Sequence, residues 1–389
     1  MENQPIINIG CLGSVSDGKS TLVKVLTGIR TQKHSNEKIR NITIKQGYGN
    51  LKIYEKDNKY SCENIDNDSI LKNHISFVDC PGHQEFIQTM LGSISLMDGA
   101  IIVIAVNQPL VNKPQLIQHL AAAKIGKLDK IIICLNKIDL VKKSILFKYK
   151  LELDKILKEY EITPHIIIPT CFNKNIGINY LLSAIMELFN PASYLDRINK
   201  KSLFNISRSF DINKVGINYN NVVGGVIGGS LSAGKFKIND IIEIRPGYVS
   251  KNISKPIITK ILSIKTDTTF LDEIIPGGLI AIGTDIDPFY CKNDMLVGNV
   301  IGLKDELPPI YTNIELNLKI ITLFGYKWEP KIKDNVVLQI GTRICDAILT
   351  KIQDKYYFEL LKPVCIEDNQ YIIICYNINK ILKIVAHSY

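Results

Sequence analysis

Residues 13–20 read G-S-V-S-D-G-K-S, which matches Gly-x-x-x-x-Gly-Lys-Ser. Those residue types at that spacing suit phosphate chemistry. Gly13 and Gly18 let the backbone turn its amides inward around phosphate oxygens, and the helix that follows offers its positive N-terminus to the same anion. Lys19 supplies a point charge near the β- and γ-phosphates, and the Ser20 hydroxyl suits Mg²⁺. A plain strand-to-helix turn would need none of these. Two further segments extend the site. In Asp79-Cys80-Pro81-Gly82-His83, Asp79 can hold a Mg²⁺-bound water, the Gly82 amide can sense a γ-phosphate, and His83 is placed to orient an attacking water. In Asn136-Lys137-Ile138-Asp139, the Asp139 carboxylate can accept from N1–H and the 2-amino group of guanine. Adenine has neither donor, so the pattern predicts guanine selectivity. Asn136 is expected to bridge the base region to the phosphate loop, with the Lys137 stem over the ring. Between the first two segments, Thr43 in R-N-I-T-I is the candidate second hydroxyl ligand of Mg²⁺.

The elements that must position these groups alternate. Apolar strands at Ile6–Cys11, His74–Val78, Ala100–Val106, Ile131–Leu135 and His165–Ile168 precede the loops. Helical spacing follows at Ser20–Leu26, Gln115–Ile125, Lys142–Tyr160 and Ile178–Leu188. This rhythm implies a mainly parallel sheet covered on both faces, with ligands at the carboxyl ends of its strands. Near Asn190-Pro191 the helical period ends, and short strands alternate with Gly, Pro, Asn and Asp turns, as in small antiparallel barrels. The double proline Pro308-Pro309 divides two of them. The expected fold is an α/β P-loop G domain over 1–199, then antiparallel β-barrels over 200–307 and 308–389.

The chain has 389 residues, 46% of them hydrophobic and 22% charged, which suits ordinary cores and argues against wholesale disorder. No apolar run approaches the roughly 20 residues that span a bilayer, and no secretory signal is visible, so no membrane partner and a cytoplasmic location are expected. Nine scattered cysteines without a Cys-x-x-Cys read as free thiols in a reducing compartment. A net charge of +9 suits a nucleic-acid partner without specifying one.

G-S-V-S-D-G-K-S-T, D-C-P-G-H and N-K-I-D in this order resemble translational GTPases. R-N-I-T-I-K-Q-G-Y-G-N-L-K-I-Y at 40–54, R-S-F-D-I-N-K at 208–214, G-G-V-I-G-G-S at 224–230 and P-G-G-L-I-A-I-G-T at 276–284 resemble the gamma-subunit family of initiation factor 2. The resemblance implies a GTP/GDP and Mg²⁺ protein that carries methionylated initiator tRNA to the small ribosomal subunit. It implies alpha and beta subunit partners in a heterotrimer, an activating protein and an exchange factor. By the same resemblance, Val15, Ser16 and Thr21 join the nucleotide contacts, and Tyr48 lies near the aminoacylated tRNA end, although it reads nearly as well as a half-buried strand aromatic. An elongation-type or sulfate-activation GTPase and a hydrolysis-deficient GTP-binding scaffold are the alternatives.

The chain departs from the family pattern in three places. Ser14 and Asp17 stand where histidines are usual. Asp17 is expected to point to solvent, the other arrangement being a cation bridging it to the phosphates. The region 55–73 keeps only Cys62 of a cysteine-rich knuckle, so no zinc is expected. The last guanine-contacting motif is reduced to Thr170-Cys171, followed by Phe172, and works through a backbone amide.

Overall fold

The computed structural model describes residues 2–31, 47–64, 66, 68–267, 269–323, 326–368 and 370–389. Thr43 lies outside them. The chain forms two compact units, Met1–Tyr194 and Leu195–Tyr389. The break falls inside the 3-10 stretch Pro191–Asn199, ahead of the expected division after residue 199, and the second unit holds both barrels.

The first unit is a seven-stranded mixed sheet. Its strands are β1 (Ile7–Leu12), β2 (Gly47–Lys56), β3 (Lys59–Ser61), β4 (Ile70–Asp79), β5 (Gly99–Ala105), β6 (Ile131–Asn136) and β7 (Ile166–Pro169), in the order β3-β2-β4-β1-β5-β6-β7. β4, β1, β5, β6 and β7 run parallel, and β2 and β3 add an antiparallel edge. Every residue of β1, β5 and β6 is buried, as expected for a sheet covered on both faces. The helices are α1 (Lys19–Thr27), α2 (Ile87–Ile94), α3 (Pro114–Ile125), α4 (Lys143–Glu159) and α5 (Ile178–Leu188). In α4, Tyr149, Leu153 and Leu157 are buried at a four-residue spacing, so one stripe faces the sheet. α1 ends at Gly28, whose left-handed φ of 72° returns its amide to Lys24 O.

The phosphate-loop connection leaves β1, where the strand order reverses. β4, to one side, ends at Asp79, and β5, to the other, ends at Ala105. A crevice at the carboxyl ends of strands flanking such a reversal is the usual ligand position in open α/β sheets.

The second unit holds two antiparallel barrels. In the first, Ile241–Ser250, Val300–Leu303, Leu203–Phe210, Val226–Ala233, Ile280–Thr284 and Ile253–Thr266 pair in turn, and the last pairs back to the first. Phe204, Ile206, Leu231, Ile244 and Ile282 point inward. The second barrel's seven-stranded sheet begins with Ile310–Leu316 and ends with Leu318–Ile320. Only Asn317 separates these edge strands, so the chain itself joins the two edges. Trp328 is buried there, and its Nε1–H donates to Asp334 Oδ2 at 3.1 Å. The Pro308-Pro309 link is held by Arg245, which donates to Leu307 O at 2.8 Å and Pro308 O at 3.1 Å. Among the described residues no helix is long and apolar enough to cross a membrane.

Candidate nucleotide site

A cavity of about 720 Å³ opens where the loops after β1, β4, β6 and β7 meet. Of the residues expected to bind nucleotide, Val15, Ser16, Gly18, Lys19, Ser20, Thr21, Gly82, Asn136, Lys137, Asp139, Cys171 and Phe172 line it. Four separate loops therefore converge on one space that suits a small molecule.

The phosphate loop is shaped by its glycines and by the groups packed beneath it. Gly13 and Gly18 adopt φ of 139° and 108°. A Cβ on Gly18 would lie 2.3 Å from Asn136 Nδ2, and one on Gly13 would lie 2.2 Å from Val103 O, so neither position admits a side chain. The Gly13 amide donates to His119 Nδ1 at 2.8 Å. Burial, with the Lys19 charge nearby, pushes the His119 imidazole down to about 3, so it is neutral and accepts at Nδ1. Lys19 donates to Gly13 O at 2.8 Å and Ser14 O at 2.9 Å. Burial lowers its pKa, opposed by the Asp79 and Asp17 carboxylates.

Asp17 corrects the expectation drawn from its charge. It neither points to solvent nor faces the phosphates across a cation. Asp17 is fully buried, and its carboxylate accepts from the Ser14 amide at 2.8 Å, the Ala105 amide at 3.1 Å and the Lys113 ammonium. The physical reason is that two backbone donors and a lysine together satisfy a carboxylate better than a one-sided exposure beside polyphosphate. Ser14 is buried too, its amide occupied by Asp17. Gly13, Ser14, Asp17, Ile138 and Thr170 do not line the cavity.

On the floor, the Ser20 hydroxyl donates to Asp79 Oδ2 at 2.7 Å and the Thr31 hydroxyl to the same oxygen at 2.5 Å. Two hydroxyls and a buried carboxylate form a hard oxygen donor set, the chemistry Mg²⁺ prefers, so the residues present fit that ion. Gly82 meets the loop closely: a Cβ there would lie 2.5 Å from Lys19 Nζ and 2.8 Å from Gly13 O.

On the base side, Asn136 spans the site. Its Nδ2 donates to Asp17 O at 2.9 Å, and its Oδ1 accepts from the Phe172 amide at 3.3 Å. Asp139 is paired with Lys174 at 3.1 Å. A hydrogen bond from Cys171 and then the Lys174 contact hold its carboxyl below the usual range. The Thr170 amide and hydroxyl are both spent on Leu135 O, and the Cys171 amide donates to Ile176 O at 3.1 Å. The expected backbone contact at Thr170-Cys171 is therefore engaged within the protein, and the Cys171 thiol, not Thr170, reaches Asp139.

His83 does not line the cavity. Its side chain is 41% exposed, and its Nδ1 accepts from the Glu85 amide at 3.3 Å. Tyr48 lies half-buried in β2, opposite Val78 of β4. Among the described residues no group of three or more His, Cys, Asp or Glu side chains gathers that could hold a metal ion, and Cys62 is pushed up to about 11 by burial. Lys24, Arg30, Thr31, Leu140 and Asn173 also line the cavity, and Lys113 and His119 support it from behind, none of which the motifs indicated.

The elongation factor Tu GTP-binding domain family matches residues 4–191. Over its whole length the chain is 36% identical to the eukaryotic translation initiation factor 2 subunit gamma of Encephalitozoon cuniculi, covering 93% of that protein. It is 36% identical to the translation initiation factor 2 subunit gamma of Pyrococcus furiosus, covering 99% of this chain and 97% of that one. In fold it resembles a bacterial selenocysteine-specific elongation factor at a TM-score of 0.75 and 21% identity, covering 99% of this chain and 58% of that one. It also resembles the elongation factor SelB of Methanococcus maripaludis bound to a GTP analogue, at a TM-score of 0.73 and 20% identity, covering 99% of this chain and 79% of that one.

Proposed function

Since the chain belongs to the gamma-subunit family of translation initiation factor 2, we propose that it is the GTP-gated carrier of methionylated initiator tRNA to the small ribosomal subunit. The observation that carries this reading is the base side of the cavity, where Asn136 ties the phosphate loop to Phe172 beside the Asp139 carboxylate. Full-length similarity to initiation-factor gamma subunits extends it from guanine binding to initiation.

GTP hydrolysis then serves as a release switch. Lys19 and the loop amides hold the β- and γ-phosphates, and Asp139 reads the base. Ser20, Asp79 and Thr43 are the residues that would hold Mg²⁺, which when bound neutralises charge on the phosphates. Gly82 lies against Lys19 and the loop, where a γ-phosphate would be felt, and His83 follows it to orient water. An activating protein speeds the step and an exchange factor replaces GDP. Alpha and beta subunits complete a cytoplasmic heterotrimer, with the G domain over 1–199 and barrels over 200–307 and 308–389.

The half-exposed position of His83, engaged with the Glu85 amide, supports a second reading, a GTP-binding scaffold without hydrolysis. Filter binding of labelled initiator and elongator tRNA, with GTP or GDP, separates the carrier from an elongation-type factor. Retention of initiator tRNA with GTP alone is expected, and equal retention of elongator tRNA would overturn the proposal. Single-turnover hydrolysis with ribosomal subunits and the activating protein decides the scaffold reading.

A further inference from the structure

We propose that Lys113 is a positioning residue of the nucleotide site: its ammonium neutralises Asp17 beneath the phosphate loop and holds that loop in the shape that receives phosphates. The inference rests on the GTP-binding reading given above. Both side chains are 1% exposed, and neither lines the cavity, so the pair lies behind the loop.

The contacts of Asp17 tie four segments together. Its carboxylate takes the Ser14 amide from the phosphate loop, the Ala105 amide from the end of β5 and the Lys113 ammonium from the turn before α3. Its carbonyl takes Asn136 Nδ2 from the end of β6, where Ala105 and Asn136 are register partners. Lys113 itself is fixed. Its amide donates to Leu110 O at 2.9 Å, its carbonyl accepts from Leu116, and Pro114 follows it at the first position of α3. A long, flexible side chain thereby gains a rigid base and one direction.

Charge explains why the lysine is needed. Lys19 already faces two carboxylates, Asp17 and Asp79. Without Lys113, Asp17 would stand as an unbalanced buried charge directly behind a loop that must accept several more negative charges. Buried charges are screened little by salt, so the repulsion would persist at high ionic strength. Half of a buried ion pair is much worse than both or neither. Lys113 and Asp17 therefore act as one unit, which lets this loop carry a carboxylate.

The test is titration of the full chain with GTP, GDP and GMP at two ionic strengths, comparing wild type with Lys113→Met, Lys113→Arg and Asp17→Asn/Lys113→Met. Lys113→Met is expected to bind GTP at least about tenfold more weakly, since an unbalanced carboxylate behind the loop repels the phosphates through a medium less screening than water. The loss should shrink from GTP to GDP to GMP and survive in salt, a grading that a general packing defect would not give. Lys113→Arg and the double variant should each recover most of the loss. A Lys113→Met variant that binds GTP like wild type, or that loses all three nucleotides equally, would overturn the proposal. If that single variant does not fold, the double variant decides: near-wild-type affinity supports the unit, and GTP binding more than about tenfold weaker refutes it. A wild-type chain that binds no GTP would instead remove the GTP-binding reading and this inference with it.

Discussion

Ser20 at the start of α1 donates its hydroxyl proton to Asp79 at the end of β4 across 2.7 Å, linking positions 59 residues apart. Thr31 donates to the same carboxylate oxygen, so the first helix, the fourth strand and the segment after α1 meet at one buried acid. On the proposed reading, oxygen donors gathered in this way should make GTP affinity depend on Mg²⁺. Ser20→Ala should weaken GTP binding about tenfold with Mg²⁺ present, the scale of one interaction with a charged group. The deficit should close when EDTA is added to both proteins. A deficit that is equally large in EDTA would mean that Ser20 serves the loop and not the ion.

Asp139 gives a prediction on the other side of the cavity. It lies with the Cys171 thiol and 3.1 Å from Lys174, held ionised by both. Asp139→Asn replaces an acceptor with a side chain that can also donate, which suits xanthine where guanine donates. GTP affinity should fall by a factor of about ten to a few hundred, on the scale of mismatched polar groups, while xanthosine triphosphate gains. Competition titrations read both, and a variant still preferring GTP by the wild-type ratio would remove Asp139 from base recognition.

Much of this arrangement was legible because the site is built from short motifs at strand ends. Gly13, Gly18, Lys19 and Ser20 followed a buried strand, and Asn136 closed another, so type, order and context agreed. Helix α5 was legible to the residue, since Leu181, Leu182 and Ile185 repeat at helical spacing. The N-terminal half of β4 was not, because Lys72 and Asn73 break its apolar run and only pairing with β2 makes it a strand. Asp17 departs from expectation for a related reason. Its charge is visible locally, but the Lys113 that buries it is 96 residues away. His119 lies farther still from the Gly13 amide it accepts, at a separation of 106 residues, and carries no motif of its own. Long-range pairing of single side chains has no periodicity to betray it.

His83 tests the catalytic assignment. Its ring is half-exposed and its Nδ1 accepts from the Glu85 amide, so little in the fold depends on it. His83→Ala should leave GTP affinity nearly unchanged and slow activator-stimulated hydrolysis by about 10²-fold or more, as loss of a water-positioning group does. An unchanged stimulated rate would remove His83 from the chemistry and strengthen the scaffold reading.

Tyr48 separates a tRNA contact from strand packing. Its ring is only partly covered, and it sits near the start of β2 directly after Gly47. Tyr48→Ala should cost about 1–3 kcal/mol of initiator tRNA affinity, the value of one stacked base, with GTP affinity preserved. Loss of both affinities together would show that the ring packs the sheet edge and does not meet tRNA.

His119 makes the stability of the first unit depend on pH. Its Nδ1 accepts the Gly13 amide, so a proton there would set one N–H against another. Burial and Lys19 push its pKa to about 3, whereas an unfolded histidine titrates near 6.5. Between those values the unfolded chain binds a proton that the folded chain refuses. The contribution is complete above about pH 6.5 and is lost progressively as pH falls toward 3, by up to about 1.4 kcal/mol per pH unit. Glutamine at this position can still accept the Gly13 amide through Oε1 but takes up no proton. His119→Gln should therefore be less stable than wild type at pH 7, through imperfect packing, yet lose less stability between pH 7 and pH 5. All the described α-helices belong to the first unit, so denaturant midpoints followed by helical circular dichroism report on it directly. Carboxylates shift both proteins alike, and the difference between their slopes isolates the imidazole. Parallel slopes would mean that His119 is protonated in the folded chain and that its hydrogen bond to Gly13 does not survive in solution.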